Sequence, residues 1–250
     1  MRFAVHVDYQ DKDVSKKIKE CKVADLHWTM PIARWTVMST SEMPSLDFID
    51  PMVRRRLSRL SRLALQAAHD CAAGYGALRM VFASRHGELT RTTAILDAIT
   101  AREPVSPTAF GLSVLNAASG VFGMVRGDRS PATAIAAGTE TLGYALLEAH
   151  AQCLADAATP ILIVYANEAA DPAYVANDHA SPDEALAVLL DARAARGYLR
   201  CEVGGGGALS AGETRGSQGA ALGHCLSTHA AAAWQGADAY WQWSWHEHAA

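Results

Sequence analysis

The first residues of the chain alternate between apolar and polar side chains. A period of two is typical of a strand with one buried face, and it predicts a strand whose inward positions are Phe3, Val5, Val7 and Tyr9. The residues from 10 to 51 are first charged and then irregular, with scattered Trp and Pro. No regular element is predicted for them.

Beyond residue 51 the pattern switches repeatedly between helical and strand periods. Apolar residues at steps of three and four predict helices with one buried face, and short apolar runs predict buried strands. This alternation is typical of an α/β domain with helices packed on a mostly parallel sheet. The predicted helices cover 52–73, 89–99, 106–121 and 139–157, and the predicted strands cover 78–83, 132–136 and 160–165.

The last third of the chain carries weaker signals. Residues 181–184 are typical of a helix start, whereas 186–190 could equally form a strand. The run of Gly at 204–207 predicts a flexible loop, because too little chain follows it to form a second core. A terminal helix is predicted over 220–234, followed by a final strand. Three tryptophans share one face of this strand: Trp241, Trp243 and Trp245.

Composition narrows the class of protein. The chain has 250 residues, of which 50% are hydrophobic and 19% charged, with a formal net charge of -4. These values argue against disorder and nucleic-acid binding. Five cysteines without a C-x-x-C pair argue against disulfides and zinc. No apolar run is long enough to span a membrane and no signal segment is visible, so a cytoplasmic protein is expected.

The stretch from 129 to 145 contains the most informative motif. A strand, Ala132-Thr133-Ala134-Ile135, turns at Ala136, Ala137 and Gly138 into a long helix that begins Thr-Glu-Thr-Leu-Gly. The amino terminus of a helix offers free N–H groups that can stabilise a thiolate or an oxyanion. This segment resembles the active-site elbow of the β-ketoacyl synthases, in which Ala-Thr-Ala is followed by the nucleophilic Cys.

The resemblance extends from about residue 50 to residue 204. Ser106-Pro107-Thr108-Ala109-Phe110 and Asn116-Ala117-Ala118-Ser119-Gly120 are similar to further stretches of that family, as are the segments 187–197 and 201–204. It implies a thiolase-like α/β fold of half length in one domain over 1–250, and it favours a strand at 186–190. The residues after 204 are expected to add a loop, a helix and a strand.

The departures from the family imply an inactive protein. Ile135 stands where the nucleophilic Cys would be, and isoleucine has no group that can form a thioester. The chain ends before the family's second half, which carries catalytic His and Lys residues. The tail does contain His224, His229, His246 and His248, but none lies in a family motif. The pattern is similar to that of short ketosynthase-like proteins described as chain length factors, notably those of aryl polyene clusters.

This resemblance implies partners and a site. The chain would form a heterodimer with an active β-ketoacyl synthase and shape its acyl-chain pocket, and an acyl carrier protein would reach the complex. The candidate pocket and interface residues are Phe110, Leu112, Leu115 and Asn116, which could equally be core residues. The candidate docking residues for the acidic carrier are Arg55, Arg59 and Arg62, which could equally form a solvated helix face.

Two other functions remain open at this point. Arg85-His86-Gly87-Glu88 matches the short signature of histidine phosphatases, although it lies far from the amino terminus. A stand-alone homodimer that binds an acyl chain or a carrier protein is the other alternative. No cofactor is expected, and His246 and His248 beside Glu247 are too few for a metal site.

Overall fold

The computed structural model describes residues 25–38, 41, 43–169, 183–205, 213–214, 216–236 and 239–248. The strand predicted at residues 3–9 lies outside the described residues, and so does most of the predicted Gly-rich loop.

Nine strands and seven α-helices make up the described part of the chain. The strands are β1 Leu26–Val37, β2 Arg79–Ala83, β3 Ala132–Ile135, β4 Ile161–Asn167, β5 Glu184–Leu190, β6 Gly197–Gly204, β7 Glu213–Thr214, β8 Ala232–Gln235 and β9 Tyr240–His246. The α-helices are α1 Pro51–Arg54, α2 Arg59–Cys71, α3 Leu89–Ala101, α4 Pro107–Gly111, α5 Ala117–Arg126, α6 Thr141–Ala155 and α7 Gln218–Thr228, and a 3-10 turn covers Gly138–Glu140.

All nine strands form one sheet in the order β3-β2-β4-β5-β1-β6-β9-β8-β7. β2 pairs in parallel with β3 and with β4, whereas the pairs from β4 to β8 along the sheet are antiparallel. The α/β class is therefore confirmed, but the expectation of a mostly parallel sheet is wrong. Parallel pairing is confined to β2 with β3 and β4 at one end and to the short β7 with β8 at the other, and each of these connections runs through a helix.

Helices cover both faces of the sheet and enclose two cores. α2 and α5 lie on one face, over a core that includes Phe82, Val164 and Leu189. α6 and α7 lie on the other face, over a core that includes Ile163, Val188 and Trp241. All seven residues of β4 are buried, since helices pack on both sides of it. This explains the continuous apolar run that predicted a strand at 160–165.

Strand β1 is the main element that the sequence did not predict. It lies between β5 and β6 near the middle of the sheet, and its residues Met30 and Ile32 are fully buried. Pro31 and Arg34 interrupt the apolar pattern, and the register shifts between Ile32 and Arg34. The alternation that would have revealed a strand is therefore broken.

Three predicted helices are divided or end earlier in the structure than the sequence pattern indicates. The helix predicted at 52–73 is divided, since Asp50 caps α1 and Ser58 caps α2 through its hydroxyl. The helix predicted at 106–121 is divided between α4 and α5. The tail helix ends at Thr228, where His229 adopts a left-handed conformation. The strand chosen for 186–190 is confirmed as part of β5.

One residue of the tail strand β9, Trp241, packs against helix α6. Trp241 and Trp243 are fully buried and Trp245 is partly buried on the same face, as predicted. The ring of Trp241 lies so close to Gly143 that a Cβ atom there would be 2.5 Å from it. The helix after the elbow therefore rests on a residue that lies about a hundred positions further along the chain.

We expect Gly143→Ala to destabilise the protein by about 3 kcal/mol, because the added methyl group would overlap the buried Trp241 ring. Gly120→Ala, in α5, is the matched control: a Cβ at Gly120 would meet nothing within 4 Å. That substitution should stabilise the helix by about 1 kcal/mol. Urea unfolding of both variants measures the difference, and equal effects would contradict this packing.

Candidate functional site

The strand β3 carries the elbow at the end of the sheet. Its register with β2 pairs Met80 with Ala132 and Ala83 with Ile135. Ser84 N–H donates to the Ile135 carbonyl at 3.1 Å, which fixes the last residue of the strand. Because β3 is the first strand in the sheet order, its outer edge faces no other strand of the described chain.

A tight turn joins β3 to α6. Gly138 has a φ of 60°, a left-handed value that glycine adopts without strain. The Thr141 hydroxyl accepts from Ala137 N–H at 2.8 Å and donates to the Gly138 carbonyl at 2.7 Å. These two bonds hold the turn, so the strand, turn and helix predicted for the elbow are present.

The Ile135 side chain occupies the strand end of this elbow. It is partly buried and packs against the core beneath α6 and α7. A branched hydrocarbon there can neither attack a thioester nor exchange a proton. At this position the elbow can pack but cannot perform nucleophilic chemistry.

The cysteines that the structure describes are poor nucleophiles. Burial raises the pKa of the Cys71 thiol to about 12 and the pKa of the Cys225 thiol to about 12. Burial also raises the pKa of Cys201 and of Cys153. Cys21 lies outside the described residues. A buried, protonated thiol is inert towards electrophiles.

The predicted pocket residues lie in different environments. Phe110, at the end of α4, is 63% exposed. Leu112 and Leu115 pack against the core beneath α2 and α5, and Leu115 also contacts Gly87. Asn116 is exposed at the start of α5 and makes no side-chain cap. Phe110 and Asn116 can therefore reach another molecule, whereas the two leucines are held by their own chain.

The helix α3 is poorly covered by the part of the chain that the structure describes. Of its thirteen residues, Thr93 alone is buried, and Leu96 and Ile99 are exposed. A helix of this length is marginal in water without packing. Between α3 and α4 lies an open cavity of about 480 Å³, whose apolar lining includes Ala94, Ile95 and Ala98. These lining residues were not singled out from the sequence, since α3 has no single apolar stripe.

The three candidate docking arginines differ in how accessible their charges are. Arg59 forms an ion pair with Asp183 at 2.9 Å. Arg62 donates to the carbonyl groups of Arg54 and Leu57. Arg55 is exposed. Two of the three therefore make contacts within the chain, and Arg55 presents the most accessible charge of the set.

The Arg85-His86-Gly87-Glu88 motif forms a turn between β2 and α3. Gly87 has a φ of 56°, and its N–H donates to the Ser84 hydroxyl at 3.0 Å. Glu88 is buried, accepts from Ser58 and Ser61 at 2.7 and 2.5 Å, and pairs with Arg91 at 3.2 Å. Glu88 thus links α2 to α3. These structural contacts explain why a buried acidic residue lies here, and a bound phosphoryl group is not needed to explain it.

The tail histidines lie apart from the elbow strand. His229 stacks on Trp245 with a centroid distance of 4.5 Å, and His246 lies 3.0 Å from the Ser244 hydroxyl. Among the described residues, no group of three His, Cys, Asp or Glu side chains could hold a metal ion. Within the same residues no helix is both long and apolar enough to cross a membrane.

Comparisons with solved structures support the fold. A chain of the complex between the ketosynthase ApeO and its chain length factor ApeC from Xenorhabdus doucetiae superposes with a TM-score of 0.68 at 24% identity, covering 87% of this chain and 99% of that one. The ishigamide ketosynthase/chain length factor gives 0.63 at 14% identity, covering 89% and 100%. A β-ketoacyl synthase from Burkholderia phymatum STM815 gives 0.54 at 15% identity, covering 69% and 53%.

The search of curated proteins gave no match. The family described as β-ketoacyl synthase, N-terminal domain, matches residues 28–244. This match includes the elbow, the turn at residues 85–88 and most of the tail strand β9. Together with the elbow geometry and the layered sheet, it establishes that the chain belongs to the family of β-ketoacyl synthase N-terminal domains.

Proposed function

We propose that this chain is a non-catalytic, chain-length-factor-like subunit that pairs with an active β-ketoacyl synthase and shapes its acyl-chain pocket. The observation that carries the proposal is the elbow, a strand, turn and helix whose sequence resembles the family's active-site segment while Ile135 occupies its strand end. The setting would be the biosynthesis of a polyketide, an aryl polyene or a related acyl product. The similarity to chains of ketosynthase and chain length factor structures supports this proposal.

The unpaired edge of β3 supports pairing with a second subunit. An edge strand presents free N–H and C=O groups that another strand can extend. β3 has three apolar residues in four, and it lacks the charged residues that commonly protect an edge. Pairing through β3 would place the elbow of each subunit next to the other subunit.

Apolar side chains flank this edge on both faces of the sheet. α5 and α6 contact β3 from opposite sides. Met124 on α5 is 75% exposed, and Tyr144 on α6 is partly exposed. A groove of about 530 Å³ runs along α5 and the start of β3, lined in part by Gly120 and Met124. A second subunit would remove this apolar surface from water.

The segment from α3 to α4 is suited to reach into the partner. Leu96, Ile99 and Phe110 are exposed on it. Burial of these side chains against a synthase would supply the packing that α3 lacks within its own chain. Phe110 and Asn116 would then contact the partner's acyl pocket, while Leu112 and Leu115 hold the segment from beneath.

A carrier protein would deliver acyl groups to the complex. We assign Arg55 as the most accessible residue of the proposed docking stripe, because Arg59 and Arg62 make contacts within the chain. An acidic carrier would gain from this charge mainly in its rate of association.

Co-expression with an active β-ketoacyl synthase encoded beside this chain tests the proposal. A stable one-to-one complex that elongates acyl chains, where neither subunit does so alone, is the expected result. If the chain forms a stable homodimer and does not bind the synthase, the result would instead favour the stand-alone alternative. The turn at residues 85–88 is explained by structural contacts, so the phosphatase alternative is not retained.

Met124→Asp should weaken association with the synthase at least about a hundredfold, because a carboxylate buried in an apolar interface costs several kcal/mol. Met52→Asp is the control, since Met52 is a comparably exposed methionine (65%) on α1, which does not flank β3. Surface plasmon resonance with immobilised synthase measures both affinities. Equal loss in the two variants would exclude the β3 flank as the interface.

Gly120→Leu tests the same groove by volume instead of charge. The site is open within this chain, so the variant should unfold at no lower urea concentration than the wild type. It should nevertheless lose co-purification with the synthase, because the added side chain occupies the groove beside β3. A variant that still binds at full affinity would place the interface elsewhere.

Burial should make the thiols of Cys71 and Cys225 resist modification in the folded chain. At pH 8 a thiol with a pKa of about 12 is ionised in about one molecule in ten thousand. Iodoacetamide should therefore modify Cys71 and Cys225 at least about a thousandfold more slowly in the folded chain than in urea. Peptide mass spectrometry measures these rates. Rapid stoichiometric labelling of either residue in the folded chain would contradict their assignment as inert core thiols.

A further inference from the structure

The cavity between α3 and α4 has a polar end and an apolar end. Its lining changes along α3, from Thr90 and Arg91 in the first turn to Ala94, Ile95 and Ala98 in the next two. At 1.5 Å per residue, this stretch is about 12 Å long. The opposite wall of the apolar end is formed by Pro104, Val105 and Ala109.

Ion pairs balance most of the charges at the polar end. Arg59 pairs with Asp183 at 2.9 Å, and Arg91 pairs with the buried Glu88 at 3.2 Å. The guanidinium groups near the cavity are thus each matched by a carboxylate. A ligand that carries its own carboxylate would compete with Asp183 or Glu88 for these guanidinium groups.

Among the described residues that line this end, Glu168 is the acidic one. It lines the cavity and accepts a hydrogen bond from the Thr90 hydroxyl at 2.9 Å. Burial raises the pKa of Glu168, whereas the hydrogen bond from Thr90 and the charge of Arg59 act in the opposite direction and favour its ionised form. A carboxylate has about four lone-pair positions, so one hydrogen bond leaves Glu168 able to accept others.

We propose that this cavity binds a linear, mostly apolar molecule whose end carries a hydrogen-bond donor, a hydroxyl or an ammonium group, and that Glu168 accepts that donor. The alkyl part lies along Ala94, Ile95 and Ala98. A free carboxylate is disfavoured, because Glu168 lines this end and the two guanidinium groups beside it already pair with Asp183 and Glu88. The inference goes beyond the proposed function, since this site needs no second subunit.

Isothermal titration of the full chain alone with three probes of equal length tests the inference. 1-Octanol and octylamine should bind at least about tenfold more tightly than octanoate, which matches the loss of one charged hydrogen bond. Octanoate binding as tightly as octylamine would overturn the assignment of the head group. This experiment does not involve the synthase, so its failure would not count against the proposed pairing.

Glu168→Gln tests the role of Glu168. The amide keeps the shape of the side chain and one acceptor oxygen but removes the charge, so octylamine should lose about tenfold in affinity and octanol less than about threefold. Glu103→Gln is the control, because Glu103 is exposed and does not line the cavity. Unchanged octylamine affinity in Glu168→Gln would overturn the proposal.

Filling the apolar end tests where the chain lies. Ala98→Trp should abolish binding of all three probes, whereas Ala101→Trp, at the exposed end of the same helix, should not. Val105→Trp fills the cavity from the opposite wall and serves as a second variant should Ala98→Trp fail to fold, as judged by circular dichroism. Folded filling variants that bind octanol like the wild type would overturn the proposal.

Discussion

The parallel pairing of β3 with β2 is the interaction on which the remaining features depend. The four residues of β3 pair with β2 on one side only. Ala132 pairs with Met80 at one end of the strand, and Ile135 pairs with Ala83 at the other. The side of β3 that pairs with β2 fixes the position of the elbow and directs α6 back across the sheet. The outer side leaves backbone groups and the flanking Met124 open to a second chain. One short strand therefore determines both the position of Ile135 and the edge through which we propose that a partner pairs.

The tail supports this arrangement from below. Trp241 reaches the first turns of α6 at Gly143, and the Gln218 side chain accepts from Gly143 N–H at 3.1 Å. Glu184, at the start of β5, accepts from Ser217 at 2.7 Å beside the first turn of α7. Residues after the Gly-rich segment thus complete the core beneath the elbow.

Local patterns predicted the parts of the fold that depend on neighbouring residues. The elbow, its glycine and the tryptophan face of β9 follow from spacing and from residues that tolerate few conformations, such as Gly138. Strand β1 was missed because its register shift interrupts the alternation. The long helix at 52–73 was overextended because a capping serine in its middle, Ser58, carries a weak sequence signal. The cavity at α3 depends on how α3 and α4 pack, which periodicity does not reveal.

Hydrogen exchange of β3 tests the central claim most directly, because amides on an unpaired edge exchange through local opening and become protected when another strand binds them. Deuterium uptake should be compared for the chain alone and for the chain with an active β-ketoacyl synthase. We expect strong protection of residues 132–135 and of α5 in the complex, with no change at β8 on the opposite side of the sheet. Unchanged uptake at 132–135 in a complex that has formed would contradict pairing through the elbow strand.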